Sequence, residues 1–195
     1  MPREEPVMTK AELRREMRQR LKGLGAAYEE KSRAVCAALG AHPAFTGSTR
    51  VALFSPLPSE PDLNGLWETH QRVFCYPRVA GERIEFVEIT RLEDLVQSPW
   101  NPWVREPAPE ASQIIAPDEI DLMLVPGLAF TRDGWRLGRG GGFYDRFLSQ
   151  LTKPTVRIGV CFDLQIVETL PVEAHDERLD GVVSESGWAP PNLSF

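Results

Sequence analysis

The segment DLMLVPGLAFTRDGWRLGRGGGFYDRF, residues 121–147, decides the fold class of this chain and holds its most informative motif. It opens with an apolar run, 122–125, that is typical of a buried β-strand. A loop that starts at Pro126 then leads to a cluster of glycines carrying Arg136 and Arg139, and a helical pattern begins only after that cluster. A strand, a shaped loop and a helix in this order predict the unit from which α/β sheets are built.

The glycine cluster predicts an anion-binding loop. Glycine lets backbone N–H groups turn toward one point, and arginine adds fixed charge and two-pronged hydrogen bonds to phosphate oxygens. Asp145, at the predicted start of the helix, has the chemistry to hold the Mg²⁺ that accompanies a nucleoside triphosphate. The motif is neither a Walker A loop nor a dinucleotide fingerprint, because its glycine spacing fits neither pattern. A glycine-rich turn kept soluble by arginines is the alternative at this point.

Elsewhere, short apolar runs alternate with helical patterns. The sequence predicts helices at about 10–23, 26–39 and 63–70, and strands at 50–54, 73–76, 84–89, 156–162 and 181–184. Several of these strands are apolar throughout, which indicates an α/β sheet covered by helices on both faces. We expect one domain over residues 9–195 and a disordered lead-in over residues 1–8.

Composition narrows the class of partner. The net charge is −6, from 22 basic and 28 acidic side chains, which argues against nucleic-acid binding because that function needs a basic face. No apolar run is long enough for a membrane helix, and the first ten residues lack the apolar core of a signal peptide. Cys36, Cys75 and Cys161 are widely separated and are predicted to be buried free thiols. We expect a cytoplasmic monomer whose ligands are small molecules, not a membrane.

Ligands of open α/β sheets bind beyond the carboxyl ends of the strands. Three loops that follow predicted strands carry unusual chemistry, at 55–62, 76–78 and 127–145. Lys10 and Arg14 lie near the stripe on which the first helix packs. Taken alone, these two cations favour the interpretation that their stems cover the core while their charges reach solvent.

These pieces together resemble the 5-formyltetrahydrofolate cyclo-ligase family, also called methenyltetrahydrofolate synthetases. The resemblance is carried by K-x-x-L-R at 10–14, the strand and loop that end at Glu60, YPR at 76–78, the segment 121–145 with its LGRGGGFYDR core, and HD at 175–176. It implies the ATP- and Mg²⁺-dependent closure of 5-formyltetrahydrofolate to 5,10-methenyltetrahydrofolate, with release of ADP and phosphate. It also implies a three-layer α/β/α fold with a mixed, mainly parallel sheet.

The resemblance further implies roles for individual residues. Those expected to contact ATP are Lys10, Arg14, Arg136, Gly138, Arg139, Gly140, Gly141, Gly142, Phe143 and Tyr144. Those expected to bind the folate are Ser55, Glu60, Tyr76 and Trp103, with Glu60 accepting hydrogen bonds from the pterin. The expected Mg²⁺ ligands are Asp145 and Asp176, and the expected catalytic residues are Arg139, Tyr144 and Asp145. For Lys10 and Arg14 this replaces the interpretation that they only cover the core.

Two positions depart from the family pattern. Some members carry a lysine where this chain has Gly141, and a tyrosine is common where it has Phe143. The positive charge that neutralises the phosphates would then come from Lys10, Arg14, Arg136 and Arg139. Neither change removes a group that the implied reaction requires.

Structural alternatives stay open for several of these residues. Asp145 could only complement a helix dipole, Asp176 could belong to a surface turn, and Glu60 could be solvated. Trp100 and Trp103 could cover the core. Two other functions also stay open, namely a sugar-phosphate isomerase or acyl-transferase relative, and a non-catalytic folate or nucleotide binder.

Overall fold

The computed structural model describes residues 8–69, 71–111, 113–152 and 154–189. Its helices are α1 Lys10–Leu21, α2 Tyr28–Ala41, α3 Pro43–Gly47, α4 Gly65–Thr69 and α5 Phe143–Leu148. Its strands are β1 Arg50–Ala52, β2 Val73–Ala80, β3 Arg83–Ile89, β4 Leu95–Gln97, β5 Arg105–Pro107, β6 Ile114–Ile115, β7 Leu122–Val125, β8 Ala129–Phe130, β9 Arg136–Leu137, β10 Val156–Val160, β11 Gly181–Ser184 and β12 Gly187–Ala189. The predicted lead-in before Met8, and His70 at the predicted end of the third helix, lie outside the described residues. Within the described ranges, no helix combines the length and the apolar character that a bilayer crossing requires.

The central sheet has eight strands in the order β12-β11-β10-β7-β1-β2-β3-β6. The five strands from β11 to β2 run parallel to one another. The strands β12 and β3 are antiparallel to their neighbours. The prediction of a mixed, mainly parallel sheet is therefore confirmed.

Helices cover both faces of this sheet, as alternation along the strands requires. In β7, Leu122 and Leu124 belong to the cluster that packs against α2, α3 and α4. Met123 and Val125 point the other way, into the cluster that contains Phe147 of α5. Because both faces are buried, the strand is apolar at every position, and this is the reason that it could be recognised from sequence.

Helix α1 packs at one end of the sheet, and its Arg14 contacts residues 138–142, the glycine segment. The predicted capping box is present, since the backbone N–H of Thr9 donates to the Glu12 carboxylate at 2.9 Å and the Thr9 hydroxyl accepts from the backbone of Glu12. Leu13, Met17 and Leu21 are buried against a cluster formed by residues of β8, β9 and Phe162. In this position Arg14 reaches the carbonyl of Gly138, and Lys10 reaches the carboxylate of Asp176.

Strand β2 does not end at Pro77, contrary to the sequence prediction. Its pairing with β3 continues to Ala80, and Pro77 lies opposite Phe86 in that ladder. Proline is tolerated because β1 pairs only with residues as far as Cys75, so that the other edge of β2 is already free of a strand partner at residue 77.

Candidate functional site

A cavity of about 560 Å³ opens where β1 ends between its neighbours β2 and β7. Its volume lies in the range of small-molecule sites. The lining residues come from the loop after β1, from β2, from the loop after β7, from the β4–β5 hairpin and from the glycine segment with the start of α5. They include Ser55, Glu60, Pro77, Trp100, Glu106, Arg136, Gly138, Arg139, Tyr144 and Asp145. Of the loops predicted to carry the site, 55–62 and 127–145 therefore do converge on one cavity.

The cavity exists because β1 turns away from the edge of β2. The N–H of Val73 donates toward β1, to Thr49 O at 3.0 Å, so the backbone nitrogens of residues 77 and 79 point to the same edge. Pro77 has no N–H to satisfy, and the N–H of Val79 donates to the Glu106 carboxylate at 3.2 Å. The Glu106 side chain of β5 therefore satisfies this edge of β2 where β1 no longer pairs with it, and a ligand-sized gap is left.

Glu60 and Arg139 form an ion pair in the wall of the cavity. The Nε and Nη2 atoms of Arg139 lie 2.9 and 2.7 Å from one Glu60 oxygen, and the N–H of Leu57 donates to the other oxygen at 3.0 Å. Arg139 also donates to the Ser59 hydroxyl at 3.0 Å. Only 4% of the Glu60 side chain is exposed, against 33% for Arg139. Glu60 is therefore not a solvated side chain, and the alternative stated above is wrong.

Arg136 and Asp145 form a second ion pair, with Arg136 before the glycine segment and Asp145 after it. The Nη2 atom of Arg136 donates to Asp145 Oδ1 at 2.7 Å, and its guanidinium lies 5.8 Å from the centre of the Tyr144 ring. Only 4% of the Arg136 side chain is exposed, whereas 17% of Asp145 is. Within the described part of the chain, Oδ2 of Asp145 has no hydrogen-bond partner, so this atom is open to a ligand.

Helix α1 carries two further cations, of which Arg14 contacts the glycine segment. Arg14 donates through Nε to the carbonyl of Gly138 at 2.9 Å. Lys10 donates to both oxygens of Asp176, at 2.9 and 2.7 Å. Among the described residues no carboxylate pairs with Arg14, so its charge is the one most available to an anion. Burial alone would raise the pKa of Asp176, but the bonds from Lys10 and from the backbone of Glu173 outweigh it, and the pKa lies below its ordinary value.

Two glycines of the segment have backbone angles that other residues rarely adopt. The φ angle is 110° at Gly140 and 66° at Gly142, which precedes α5. A side chain at either position would strain the loop. A Cβ on Gly141 would lie 2.9 Å from the Phe143 ring, so a lysine there requires that ring to move. Helix α5 has only six residues, so the attraction for an anion rests on the cations more than on a helix dipole.

The predicted metal ligands are each held by a different cation. Asp145 pairs with Arg136, and Asp176 pairs with Lys10. Over the ranges that the structure describes, no group of three or more His, Cys, Asp or Glu side chains could form a metal site by itself. Mg²⁺ in nucleotide sites needs only one or two carboxylates, since substrate phosphates and water supply the remaining oxygens. The free Oδ2 of Asp145, at the cavity, fits that requirement.

Two of the predicted folate contacts are placed away from the cavity. Tyr76 is 1% exposed in the core, and its hydroxyl accepts a hydrogen bond from the Trp67 indole at 3.0 Å. Alternation along β2 explains the error, because Pro77 faces the cavity and Tyr76 therefore points to the opposite face. Trp103 does not line the cavity either, whereas Trp100 of the same hairpin does. Both tryptophans are strongly exposed, at 74% and 67%, so neither covers the core.

Ser55 borders the cavity, and its hydroxyl accepts a hydrogen bond from the backbone of Arg105 at 3.0 Å. It thereby ties the loop after β1 to the β4–β5 hairpin, which carries Trp100. In this structure Ser55 holds part of the wall together, a role that sequence reasoning did not anticipate.

Sequence reasoning also missed three residues that build the wall. Glu106 is a buried carboxylate that accepts from the Ser98 hydroxyl and the Val79 backbone. Arg78 donates to the carbonyls of Ala108 and Ala111, at 3.1 and 2.9 Å, and so fixes the segment after β5. Arg146 donates to the carbonyls of Glu82 and Gly141, at 2.7 and 2.9 Å, and links the glycine segment to the β2–β3 turn. Arg78 and Arg146 could have been found from the sequence, because they lie inside the matched motifs. Nothing in the sequence pointed to Glu106.

Neither the thiols nor Tyr144 is prepared as a nucleophile. Burial raises the pKa of Cys36 to about 11, and it also raises the pKa values of Cys75 and Cys161. Burial also raises the pKa of Tyr144, with the Glu60 charge acting in the same direction and Arg136 opposing it. The Tyr144 phenol therefore keeps its proton and is a hydrogen-bond donor at the cavity.

Comparison with known proteins places this geometry in a family. A sequence model described as the 5-formyltetrahydrofolate cyclo-ligase family matches residues 6–185. The chain is 30% identical to the mouse (Mus musculus) 5-formyltetrahydrofolate cyclo-ligase, over 91% of this chain and 94% of the mouse protein. It is 32% identical to the enzyme of the same name from Escherichia coli (strain K12), over 74% and 82% of the two chains.

Solved structures give the same result. The fold is similar to the NMR structure of Aquifex aeolicus 5,10-methenyltetrahydrofolate synthetase, with a TM-score of 0.83, 29% identity, and coverage of 96% of this chain and 95% of the other. A 5,10-methenyltetrahydrofolate synthetase from Mycoplasma pneumoniae shares the fold at a TM-score of 0.72, with 23% identity over 91% of this chain and 99% of the other.

Proposed function

Because the chain belongs to the 5-formyltetrahydrofolate cyclo-ligase family, we propose that it converts 5-formyltetrahydrofolate to 5,10-methenyltetrahydrofolate with ATP and Mg²⁺, releasing ADP and phosphate. The observation that carries this proposal is the position of the glycine segment. It lines a cavity of about 560 Å³, and Arg14 of α1 donates to its Gly138 carbonyl. Such a segment can hold a triphosphate against a second substrate.

The folate belongs in the cavity. The lining is largely apolar and contains Trp100, which suits aromatic rings, together with Glu60 and Glu106. Carboxylates accept hydrogen bonds and do not donate them, which matches the amino and ring N–H groups of a pterin. Arg139 donates hydrogen bonds from Nε to the Glu60 carboxylate and from Nη2 to the Ser59 hydroxyl, and a third of its side chain is exposed. It can therefore orient Glu60 and still reach the formyl group.

The nucleotide belongs on the glycine segment. Arg14 is the cation there that no carboxylate neutralises in the described structure, whereas Lys10 is paired with Asp176 and Glu173 and is 14% exposed. Backbone N–H groups from Gly138 to Gly142 would complete the phosphate contacts, with Phe143 and Tyr144 at their end. Phosphates would compete with Asp176 for Lys10, which leaves Asp176 free to approach a cation.

Asp145 would hold Mg²⁺ through Oδ2, with Asp176 as the second carboxylate. Mg²⁺ held by these carboxylates would supply positive charge that neutralises the charge developing on the phosphates. The chain's own contribution is to present these carboxylates, to exclude water from the cavity and to fix the two substrates.

In the proposed reaction, the γ-phosphoryl group passes from ATP to the formyl oxygen. N10 of the folate then attacks the activated carbon, and phosphate leaves as the ring closes. No protein nucleophile is required, in agreement with the protonated thiols and phenol described above. Catalysis would come from positioning and from charge stabilisation, with Arg139 and the Tyr144 hydroxyl next to the reacting oxygen.

The test is the absorbance of 5,10-methenyltetrahydrofolate during incubation with 5-formyltetrahydrofolate. Product that forms only when both ATP and Mg²⁺ are present, in equal amounts with ADP, supports the proposal. Turnover without ATP, or folate binding without turnover, contradicts it. The family match already disfavours the sugar-phosphate isomerase and the non-catalytic binder. We further propose that the protein acts as a cytoplasmic monomer, which size-exclusion chromatography with light scattering and cell fractionation would test.

A further inference from the structure

Helix α2 presents a row of three polar side chains to the loop that carries Glu60. Tyr28, Ser32 and Cys36 are spaced four positions apart, so they lie on one side of the helix, one turn after another. The Tyr28 hydroxyl donates to the carbonyl of Glu60 at 2.9 Å. The Ser32 hydroxyl accepts from the N–H of Asp62 at 3.1 Å, and the Cys36 thiol donates to the carbonyl of Asp62 at 3.3 Å. Each of these turns therefore holds one backbone group of the loop.

The loop needs such partners because residues 60–62 belong to no helix or strand of the described structure. A covered backbone N–H or C=O group that lacks a partner is costly. The N–H of Glu60 donates within the loop, to the carbonyl of Leu57 at 2.8 Å, and Pro61 has no N–H. The row on α2 satisfies three further groups, which a neighbouring strand would satisfy in a sheet.

The core in turn fixes the helix that carries the row. Val35 and Leu39 of α2 are fully buried in the cluster on this face of the sheet. The Tyr28 ring packs edge-on against Phe162, with ring centres 5.9 Å apart. Burial raises the pKa of Tyr28 to about 12 and that of Cys36 to about 11, so both side chains keep their protons and can donate. The loop is therefore tied to a rigid element.

Glu60 is the residue at which this row meets the cavity. Its carboxylate accepts from Arg139 and from the N–H of Leu57, while its carbonyl accepts from Tyr28. The side chain and the backbone of Glu60 are thus held by different parts of the fold. A shift of the loop away from α2 would move the carboxylate and disturb its pair with Arg139.

We propose that Tyr28, Ser32 and Cys36 are positioning residues: they hold the loop at 60–62, so that the Glu60 carboxylate keeps the place from which it binds the folate. This inference rests on the proposed function for the identity of the ligand. None of the three residues is among those that line the cavity, so they act through Glu60 and not by touching the substrate. We expect nucleotide affinity to be independent of them, because their contacts lie away from the glycine segment.

Hydrogen–deuterium exchange of the ligand-free protein tests the hold of α2 on the loop. Ser32→Ala removes the acceptor of the Asp62 amide, so a peptide covering residues 57–63 should exchange faster than in wild type. Ser48→Ala is the matched control, because Ser48 is about as buried as Ser32 but donates to the carbonyl of Ala44 in α3. The control should leave exchange in the 57–63 peptide unchanged.

Calorimetry then tests the consequence for the substrate. Tyr28→Phe, Ser32→Ala and Cys36→Ala should each weaken binding of 5-formyltetrahydrofolate about three- to tenfold, and binding of adenylyl imidodiphosphate with Mg²⁺ should stay within about twofold of wild type. Cys36→Ser keeps a donor at this position and should restore folate affinity. In a Glu60→Ala background, Tyr28→Phe should cause no further loss, because Tyr28 acts through Glu60.

Unchanged exchange at 57–63 in Ser32→Ala overturns the inference. So does a wild-type folate affinity in both Tyr28→Phe and Ser32→Ala, and so do equal losses of folate and nucleotide affinity, because these would indicate a general loss of structure. A wild-type protein that binds no folate contradicts the proposed function. Faster exchange at 57–63 in Ser32→Ala would, in that case, still support the hold of α2 on the loop.

Discussion

At the scale of single residues, the site is a set of ion pairs that are already formed without substrate. Glu60 with Arg139 and Asp145 with Arg136 are the two pairs at the cavity. A buried carboxylate is costly unless it is paired, so each arginine also stabilises the fold. Mutations of these residues therefore change both stability and activity, and the two effects have to be measured separately.

Arg139→Ala is expected to abolish turnover and also to lower the free energy of unfolding. The variant leaves Glu60 buried without its cation, which costs about 1–3 kcal/mol. Urea unfolding monitored by tryptophan fluorescence measures the cost, and the methenyl absorbance assay measures turnover below the unfolding transition. Arg20→Ala, which removes an exposed pair with Glu16, is the control and should change neither quantity by much. Full activity in Arg139→Ala would remove this residue from the catalytic set.

At the scale of elements, the β4–β5 hairpin places an aromatic ring at the cavity. Trp100 lines the cavity and Trp103 does not, although they are three positions apart on the same exposed turn. Arg78 and Ser55 fix this hairpin to β2 and to the loop after β1. We therefore expect the hairpin to supply a ring that stacks on the folate.

Trp100→Ala should raise the KM for 5-formyltetrahydrofolate about three- to tenfold, the equivalent of an aromatic contact of about 0.5–1.5 kcal/mol. Its KM for ATP should stay as in wild type. Trp103→Ala is the matched control, since it removes an equally exposed ring that does not line the cavity. Initial-rate kinetics with each substrate varied in turn provide the measurement. An equal rise of the KM for 5-formyltetrahydrofolate in both variants would contradict a specific contact between Trp100 and the folate.

Helix α3 contains a group that makes stability depend on pH. The Nδ1 atom of His42 accepts from the backbone of Ala44 at 3.1 Å and so caps this helix. Burial lowers the pKa of His42 below 6.5, because the charged form is disfavoured. The unfolded chain therefore binds the proton more readily than the folded chain, and stability is fully present above pH 6.5 and falls as pH drops below it.

His42→Asn should remove this dependence, because asparagine can cap the helix but does not titrate. Between pH 7.5 and 5.5 the free energy of unfolding of wild type should fall relative to that of the variant. Urea titrations of both proteins at several pH values measure the difference. Parallel curves for the two proteins would contradict the assignment.

The elements also show how far sequence reasoning reaches. The buried strand at 122–125 and the capped helix α1 were predictable, because apolar runs and capping boxes are local patterns. The hairpins β4–β5 and β8–β9 were not, since each pairs strands of two or three residues across a loop. Tyr76 was expected at the folate but points into the core, because the face that a strand residue presents depends on the strand's neighbours. Motifs pointed to Glu60 and Arg139, whereas their pairing came only from the fold.

At the scale of the whole molecule, tertiary contacts bring distant parts of the chain to the cavity and to the glycine segment. Arg14 and Gly138 are 124 positions apart, and Lys10 and Asp176 are 166 apart. The cavity draws on β1, β2, β7 and the β4–β5 hairpin. We expect the two substrates to occupy different sides of one segment, so that each can bind and stabilise the fold by itself.

This arrangement predicts that nucleotide and folate stabilise the protein independently. At a ligand concentration about 100 times Kd, binding contributes about 2.7 kcal/mol. For a chain of this length that raises the Tm by about 5–10 °C. Differential scanning fluorimetry should show the shift with adenylyl imidodiphosphate and Mg²⁺, a smaller one with EDTA, and a separate shift with 5-formyltetrahydrofolate alone. Arg14→Ala should lose the nucleotide shift and keep the folate shift, whereas Arg15→Ala, one position along α1 but exposed, should keep both. If Arg14→Ala loses both shifts equally, the two ligands do not occupy opposite sides of the glycine segment.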